Sequence, residues 1–216
     1  DKSLEFSDKN AKWTIGLSNY WGSVLHKRFL KNNENRKELT NKIEYLYNNY
    51  YNSKKLNVYI ENYKNVILPF VSKDPLAFNN MSKLEVESKL NSIHEIINQN
   101  KNNYFLSLEK PQPFFLGKVS NNASFLSFNW DQAYDFQGNK IKYNLIVSKT
   151  PDMNKKKKKK ENINESEYLT DKLDKGIYYW QVVAIDTDGN KQYPFDLYID
   201  TNTNLYYYGI KKLIVD

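Results

Sequence analysis

Cysteine is absent from this sequence of 216 residues, and histidine and glycine are scarce, with 2 and 7 residues. Without cysteine the chain has no disulfide, no thiolate metal site and no cysteine nucleophile. The absence of cysteine does not identify the cellular compartment, because bacterial surface proteins often lack cysteine as well. No apolar run approaches the roughly 20 residues that span a bilayer, and no signal peptide is visible.

The length accommodates one large domain or two domains of about 100 residues each. Aromatic residues make up 15% of the chain, which is enough for two hydrophobic cores. The sequence begins at Asp1 rather than at methionine. We therefore expect it to be a fragment or a processed product of something longer.

The net charge of +7 comes from one segment, the unbroken run Lys155–Lys160. Without this run, 26 basic residues stand against 25 acidic ones. One interpretation is an electrostatic handle for nucleic acid, an anionic polymer or membrane headgroups. The other is a solvated loop between two strands. We favour the loop, because no arginine or aromatic residue interleaves the run as a specific nucleic-acid groove requires.

The region from Phe125 to Asn190 has the alternation of an antiparallel β-sandwich. Its first two predicted strands carry apolar residues at every second position, which predicts one buried face for each strand. Turn residues around Gly138 separate them. The apolar positions are Leu126, Phe128 and Trp130, then Ile141, Tyr143, Leu145 and Val147.

A third strand follows Gly176, and its register has two alternatives. One buries Tyr178, Trp180, Val182 and Ala184, whereas the other buries Gln181 in their place. An unpartnered buried amide costs on the order of 1–3 kcal/mol, so we prefer the first register. The sequence before this strand is also typical of a corner at which a tyrosine hydroxyl binds the backbone a few residues upstream.

Two segments of this region resemble a bacterial fibronectin type III-like domain. They read W-D-x-A-x-D-x-x-G-N-x-I-x-Y from Trp130 and L-x-x-G-x-Y-Y-W-x-V-x-A-x-D from Leu173. The resemblance covers about the last 100 residues. It implies architecture more than activity, since such domains are mostly spacers and binding modules.

Residues 20–107 have helical periodicity. The spacing predicts a helix from Tyr20, a second capped by Asn35 and Glu38, a third after Asn52-Ser53, and a fourth opened by the capping box Ser82–Glu85. Before them, Trp13, Ile15 and Leu17 alternate and predict a short extended segment. The residues at helical spacing in the third helix are Leu56, Tyr59, Ile60, Tyr63, Ile67 and Phe70, and those predicted to point inward in the fourth are Leu84, Leu90, Ile93 and Ile97.

The helical region resembles the C-terminal helices of the CotH (spore-coat protein H) kinase family. The family has the series W-x-x-x-L-x-x-R-F-L-x-N-x-E, then a helix with I-x-x-x-x-x-x-I-x-P and a downstream Asp. The matching positions here are Trp21, Leu25, Arg28, Phe29, Leu30, Asn32 and Glu34, then Ile60, Ile67, Pro69 and Asp74.

The resemblance implies an atypical protein kinase whose catalytic residues precede these helices. ATP and Mg²⁺ or Mn²⁺ are therefore implied only for a longer parent, and we assign no catalytic, cofactor-binding or metal residue to this chain. Asp1 and Asp8 do not match the family's metal motif. Gly16 and Gly22 are the only glycines before the linker at Pro111–Pro113, so no glycine-rich phosphate loop is present.

Other constellations favour structural roles. Neither His26 nor His94 has a partner at helical spacing for a metal face, and neither is placed to activate a nucleophile. The carboxylates of Asp131, Asp135, Asp186 and Asp188 offer oxygen ligands for Ca²⁺, but the last two fit an Asp-Gly hairpin turn better. For Tyr206–Tyr208 we favour packing within the sheet over stacking on sugars or on a partner.

We therefore predict a two-domain α+β fragment: residues 1–110 as a helical bundle and residues 114–216 as a fibronectin type III-like sandwich. The predicted function is a non-catalytic part of a CotH-like spore-coat or cell-surface protein. In it the helices support a kinase lobe and the sandwich is a binding module or spacer. The alternative is a free-standing module that recognises glycan or protein. A protein partner from the coat or envelope is expected, and no specific nucleic acid. The expected location is the spore coat or bacterial cell surface, with the mother-cell cytoplasm as the other option.

Overall fold

The computed structural model describes residues 13–71, 73, 76–121 and 124–216. Within them, helices come first and strands follow, as the sequence predicts. Two 3₁₀ turns, Gly16–Asn19 and Leu76–Phe78, and one π-helical turn, Tyr47–Tyr51, accompany the α-helices. The α-helices are α1 (Val24–Lys31), α2 (Asn33–Leu46), α3 (Ser53–Val71) and α4 (Lys83–Leu108).

Side-chain caps fix where three of these helices begin. Asn32 caps α2 by accepting a hydrogen bond from the Glu34 amide at 2.8 Å, so the predicted cap at Asn35 is three residues too late. Asn52 accepts from the Lys55 amide at 3.1 Å and caps α3. Polar side chains at these positions satisfy amides that have no partner within the helix.

The predicted capping box of α4 is confirmed. The Ser82 amide donates to the Glu85 carboxylate at 2.7 Å, and the Glu85 amide donates to the Ser82 hydroxyl at 3.2 Å. The hydrogen bonds that the Ser82 amide and hydroxyl donate to the Glu85 carboxylate lower the pKa of Glu85 below its usual value. The first turn of α4 is thus stabilised by the ionised form of Glu85.

Ten strands follow the helices, and the pairings between them are antiparallel. They are β1 (Ser120–Asn121), β2 (Phe125–Asn129), β3 (Lys142–Ser148), β4 (Lys156–Ile163), β5 (Glu167–Asp171), β6 (Gly176–Ile185), β7 (Lys191–Gln192), β8 (Leu197–Asp200), β9 (Leu205–Tyr208) and β10 (Lys211–Val215).

The strands form the two layers of a sandwich and one added hairpin. One sheet has the order β1-β2-β5, and the other has the order β10-β6-β3-β4 with β7 paired to β6. The strands β8 and β9 pair only with each other. This crossing of consecutive strands between two antiparallel sheets confirms the predicted fibronectin type III-like sandwich.

The core lies between the two sheets and follows the predicted register. Leu126 and Phe128 on one sheet, and Trp180 and Val182 on the other, are at most 1% exposed. The Phe128 and Trp180 rings meet edge to face, with centroids 5.1 Å apart. Gln181 lies on the opposite face of β6, where its amide donates to the Tyr208 carbonyl at 3.4 Å.

The tyrosine corner before β6 is also confirmed. The Tyr178 hydroxyl donates to the Asp174 carbonyl at 2.9 Å, and the Tyr178 side chain is buried. Gly176 adopts a φ of +153°, and a Cβ there would lie 2.9 Å from the Lys149 ammonium. The corner therefore fixes how the chain enters β6.

The lysine run is part of a strand, and the predicted loop is wrong. Lys156–Lys160 open β4, which ends its sheet and pairs with β3 through Ile146↔Lys159 and Leu145↔Lys160. The pairing shifts register between Val147 and Ser148 and again between Tyr143 and Leu145. Backbone pairing determines this strand, since its hydrogen bonds need no apolar side chains.

Residues before α1 differ from the prediction. Trp13 lies in a turn and the segment from Gly16 is a 3₁₀ turn, so the expected extended segment is absent from residues 13–19. The first helix starts at Val24 rather than at Tyr20. Trp21 is buried and stacks on Tyr134, with ring centroids 5.5 Å apart.

The chain divides into two compact units. One comprises residues 1–28 and 104–216, and the other comprises residues 29–103. The helical first unit of the prediction, residues 1–110, is therefore shared between both compact units. Independent folding of residues 114–216 stays a prediction.

Candidate functional site

The residues weighed for nucleotide binding have other roles or lie outside the described part. Asp1, Asp8 and Asp74 are outside the described residues. Gly16 opens a 3₁₀ turn with a φ of +54°. A Cβ on Gly22 would lie 3.3 Å from the Phe195 ring, so glycine allows that ring to approach the backbone.

Two of the four carboxylates weighed for calcium, those of Asp135 and Asp186, are bound within turns. Asp135 accepts from the amides of Gln137 and Asn139 at 2.8 and 3.0 Å. Asp186 accepts from the amides of Asp188 and Asn190, both at 2.9 Å, and closes the β6–β7 hairpin. Among the described residues, no group of three or more His, Asp or Glu side chains is placed to hold a metal ion.

A histidine and a serine meet in the helical unit, which the sequence reasoning missed. His94 Nε2 hydrogen-bonds Ser53 Oγ, and the two residues lie 41 positions apart. Asn98 Nδ2 lies 3.3 Å from His94 Nδ1, and the Tyr47 hydroxyl donates to Asn98 Oδ1 at 2.5 Å. No local spacing signals this contact, because it depends on how α4 packs beside the start of α3.

This arrangement does not activate the serine. With the Asn98 amide nitrogen donating to Nδ1, the proton of a neutral His94 ring lies on Nε2. Nε2 is then the donor to Ser53 and cannot accept the serine proton, as a general base must. The network therefore ties α4 to the start of α3 and to the π-helical turn at Tyr47.

Helix α3 carries two apolar faces, and the described residues cover only one of them. Leu56, Ile60 and Val71 are buried. Lys64 lies on the covered side, where its ammonium binds Glu61 at 2.8 Å and Glu87 at 3.5 Å. The hydrogen bond that the Lys64 ammonium donates to Glu61 is the main reason that the pKa of Lys64 is raised.

The second face of α3 is an exposed apolar stripe, formed by Tyr59, Tyr63, Val66 and Phe70. Each of these side chains is between 52% and 66% exposed. Their spacing of four, three and four residues places them in one row about 16 Å long. The sequence places Tyr59, Tyr63 and Phe70 at helical spacing, and in the structure the face that they form is exposed.

The sandwich carries a cavity of about 230 Å³ on the outer side of the β6 sheet. Gln181 contributes an amide, Asp152 a carboxylate, and three tyrosines contribute rings. The hydrogen bond from Thr150 is the main reason that the pKa of Asp152 is lowered, so its carboxylate stays ionised. The full lining is Pro151, Asp152, Met153, Gln181, Tyr193, Tyr207, Tyr208 and Ile210.

Three tyrosines form a ring cluster beside this cavity. Tyr198 lies 4.9 Å from Tyr179 and 6.1 Å from Tyr207, measured between ring centroids. Burial, followed by the Tyr198 hydroxyl at 3.3 Å, raises the pKa of Tyr179 to about 12. Of the run Tyr206–Tyr208, Tyr208 is buried and Tyr206 is exposed, so packing within the sheet explains only part of the run.

None of the helices in the described residues is both long and apolar enough to span a bilayer. The family model described as CotH kinase protein matches residues 2–104, just under half of the chain. Over these residues the sequence is similar to the CotH kinase family. No curated protein matches the chain significantly.

Solved structures similar to this chain include two fibronectin type III proteins. The fibronectin type-III domain of human fibronectin type III domain containing protein 3 is 14% identical, with a TM-score of 0.34. That match covers 49% of this chain and 86% of that domain. A structure described as FN3tt mut is 19% identical over 39% of this chain and 88% of that one, with a TM-score of 0.27.

Proposed function

We propose that this chain is a non-catalytic part of a CotH-like protein of the spore coat or bacterial cell surface. Its helices complete a kinase lobe, and its sandwich binds a coat or envelope component. The CotH kinase-family match over residues 2–104 supports the first role. Nucleotide and Mg²⁺ or Mn²⁺ would then be bound by the lobe and not by this chain.

The exposed apolar stripe on α3 is the observation that carries this proposal. Four large apolar side chains lie in one row, and each is more than half exposed. Exposing such an apolar helix face to water is unfavourable. Burying such a row against another element is the usual way in which an amphipathic helix is stabilised. We assign the missing cover to the preceding part of a CotH-type lobe.

Binding in trans tests this assignment. A CotH-family kinase lobe truncated before its C-terminal helices should retain the wild-type chain on an affinity column. The double variant Tyr63→Glu/Val66→Glu should lose retention, because it places two charges in the apolar row. The matched control Asn57→Glu/Asn65→Glu adds the same charge at exposed polar positions of the same helix and should be retained.

Equal retention of both double variants, or no retention of the wild-type chain, would exclude α3 as the contact. Nucleotide provides a separate test. Thermal melts of the chain with and without millimolar ATP and Mg²⁺ or Mn²⁺ should superimpose, since a ligand that binds only the folded state raises the melting temperature. A rise of several degrees would place a nucleotide site within this chain.

The second candidate function is a free-standing module that recognises glycan, and the cavity beside Gln181 favours it. Tyrosine rings stack on the apolar faces of sugars, while the Asp152 carboxylate and the Gln181 amide can bind sugar hydroxyls. Titration calorimetry with a panel of neutral oligosaccharides tests this function. Heat of binding that Tyr207→Ala abolishes and Tyr206→Ala preserves would support it, and no heat with any sugar would exclude it.

A further inference from the structure

The lysine run is a strand at the edge of its sheet, and this placement changes what its charges can do. A solvated loop spreads its charges over many conformations. In β4, pairing with β3 holds Lys158, Lys159 and Lys160 opposite Val147, Ile146 and Leu145. An extended segment of five residues covers about 17 Å, so the backbone positions of Lys156–Lys160 are fixed along β4.

The lysines divide between the two faces of the strand. Lys158 donates to the Thr170 hydroxyl, and the Lys160 ammonium lies 6.0 Å from the Tyr168 ring centroid. Both contacts reach β5 in the other sheet. Lys159 points the opposite way and binds Glu161 at 2.6 Å. Lys155, Lys156 and Lys157 are exposed.

Part of this pattern protects the edge of the sheet. Inward lysines and register shifts are features by which edge strands avoid pairing with another copy. Such protection accounts for Lys158 and Lys160, which cover the open side between β4 and β5. It does not require further cations at the exposed start of the strand.

We propose that the exposed lysines at the start of β4, Lys155, Lys156 and Lys157, bind a linear polymer of phosphate groups. Neighbouring charges on an extended strand and on a phosphate chain both repeat at intervals of a few ångströms, so one polymer strand can meet several ammonium groups at once. Among the described contacts of Lys155–Lys160, a single carboxylate, that of Glu161, forms an ion pair. The other charges are therefore not neutralised by ion pairs within the described structure.

The partner is a phosphate polymer rather than a nucleic acid recognised by its bases. Base stacking requires aromatic side chains between the cations, and none lies within Lys155–Lys160. Binding should therefore depend on charge and salt alone. If Lys155, Lys156 and Lys157 each displace a counterion, affinity should fall roughly 20-fold between 50 and 200 mM NaCl, from a slope of about −0.7 per contact.

Fluorescence anisotropy with labelled inorganic polyphosphate measures this binding. The variant Lys155→Gln/Lys157→Gln should weaken binding and reduce the magnitude of the salt slope by about 1.4. The control Lys54→Gln/Lys83→Gln removes the same charge from exposed positions in the helices and should leave the slope unchanged. Unchanged tryptophan-monitored melting would show that the strand variant folds.

A second arm uses an oligothymidylate with the same number of phosphates. Equal or weaker binding per phosphate supports recognition of the phosphate chain alone. Much tighter binding of the oligothymidylate would overturn the proposal in favour of nucleic acid. Equal loss in both double variants, or self-association of Lys155→Gln/Lys157→Gln with unchanged polyphosphate binding, would also overturn it and leave the run as edge protection.

Discussion

Two buried tyrosine hydroxyls allow the hydrogen-bond account of the sandwich to be tested by a matched pair of variants. The Tyr143 hydroxyl accepts from the Ala133 amide at 2.9 Å, and both residues are buried. The Tyr178 hydroxyl donates to the Asp174 carbonyl at 2.9 Å, and Asp174 is exposed. Substitution by phenylalanine keeps each ring and removes only the hydroxyl.

The two substitutions should differ in cost. Tyr143→Phe leaves a buried amide without its partner, which costs about 2 kcal/mol within a range of 1–3. Tyr178→Phe frees a carbonyl that water can reach, so the cost should be about 1 kcal/mol, the net value of an ordinary hydrogen bond. The ring contacts of Tyr143 with Phe114 and Trp130 remain in the variant.

Urea unfolding followed by tryptophan fluorescence measures both costs. The residues Trp13, Trp21, Trp130 and Trp180 all lie in the compact unit that contains the sandwich, so the signal reports on that unit. With a urea dependence of about 2 kcal/mol per molar, the midpoint should fall by about 1 M for Tyr143→Phe and about 0.5 M for Tyr178→Phe. A larger loss for Tyr178→Phe would refute the assumption that solvent access decides the cost.

Three further predictions follow from the contacts. Trp21→Ala should destabilise the same unit by about 3–5 kcal/mol, because the ring is 2% exposed, and the same urea titration measures the loss. Ser82→Ala should lower the free energy of unfolding by about 1 kcal/mol, and circular dichroism at 222 nm should show the helices unfolding at a lower urea concentration. Since the pKa of Glu85 is lowered in the folded state, the stabilisation from Glu85 should be lost as the pH falls through that pKa. Absorbance at 295 nm should show that Tyr179 titrates near pH 12. The variant Tyr198→Phe should bring the pKa of Tyr179 down towards 10. The contribution of Tyr179 to stability is complete below about pH 10 and is lost as the pH rises towards 12.

The strand register was predictable because one side chain decided it. Two alternating sets competed for the core in β6, and only one contained a polar residue, Gln181. The desolvation cost of a buried amide is large compared with the difference between two apolar sets. The observed strand accordingly buries Tyr178, Trp180, Val182 and Ala184, each at most 1% exposed.

Helical periodicity was a weaker guide to burial. It correctly grouped Tyr59, Tyr63 and Phe70 on one face of α3, but it does not say whether another element covers that face. Ile60, which directly follows Tyr59 in the sequence, is buried. Where a helix has apolar residues on two neighbouring faces, tertiary packing decides which face is buried.

Charge composition misled at the lysine run. The side chains of six consecutive lysines repel one another, and considered alone they predict a loop. Their backbone amides and carbonyls still pair with β3, and the strand continues to the buried Ile163. Contacts between residues that are distant in the sequence, such as Ser53 and His94, could not be predicted either, since no spacing rule says which helices pack together.

The family match, residues 2–104, includes parts of both compact units. Trp21 is one of the residues on which the resemblance to the CotH kinase family depends. In the structure its ring stacks on Tyr134 and meets Phe136 edge to face at 5.4 Å, so it packs against residues of the β-region. A residue of the family motif therefore contributes to the unit that contains the sandwich. It follows that the sandwich and the segment around Trp21 form one packed unit.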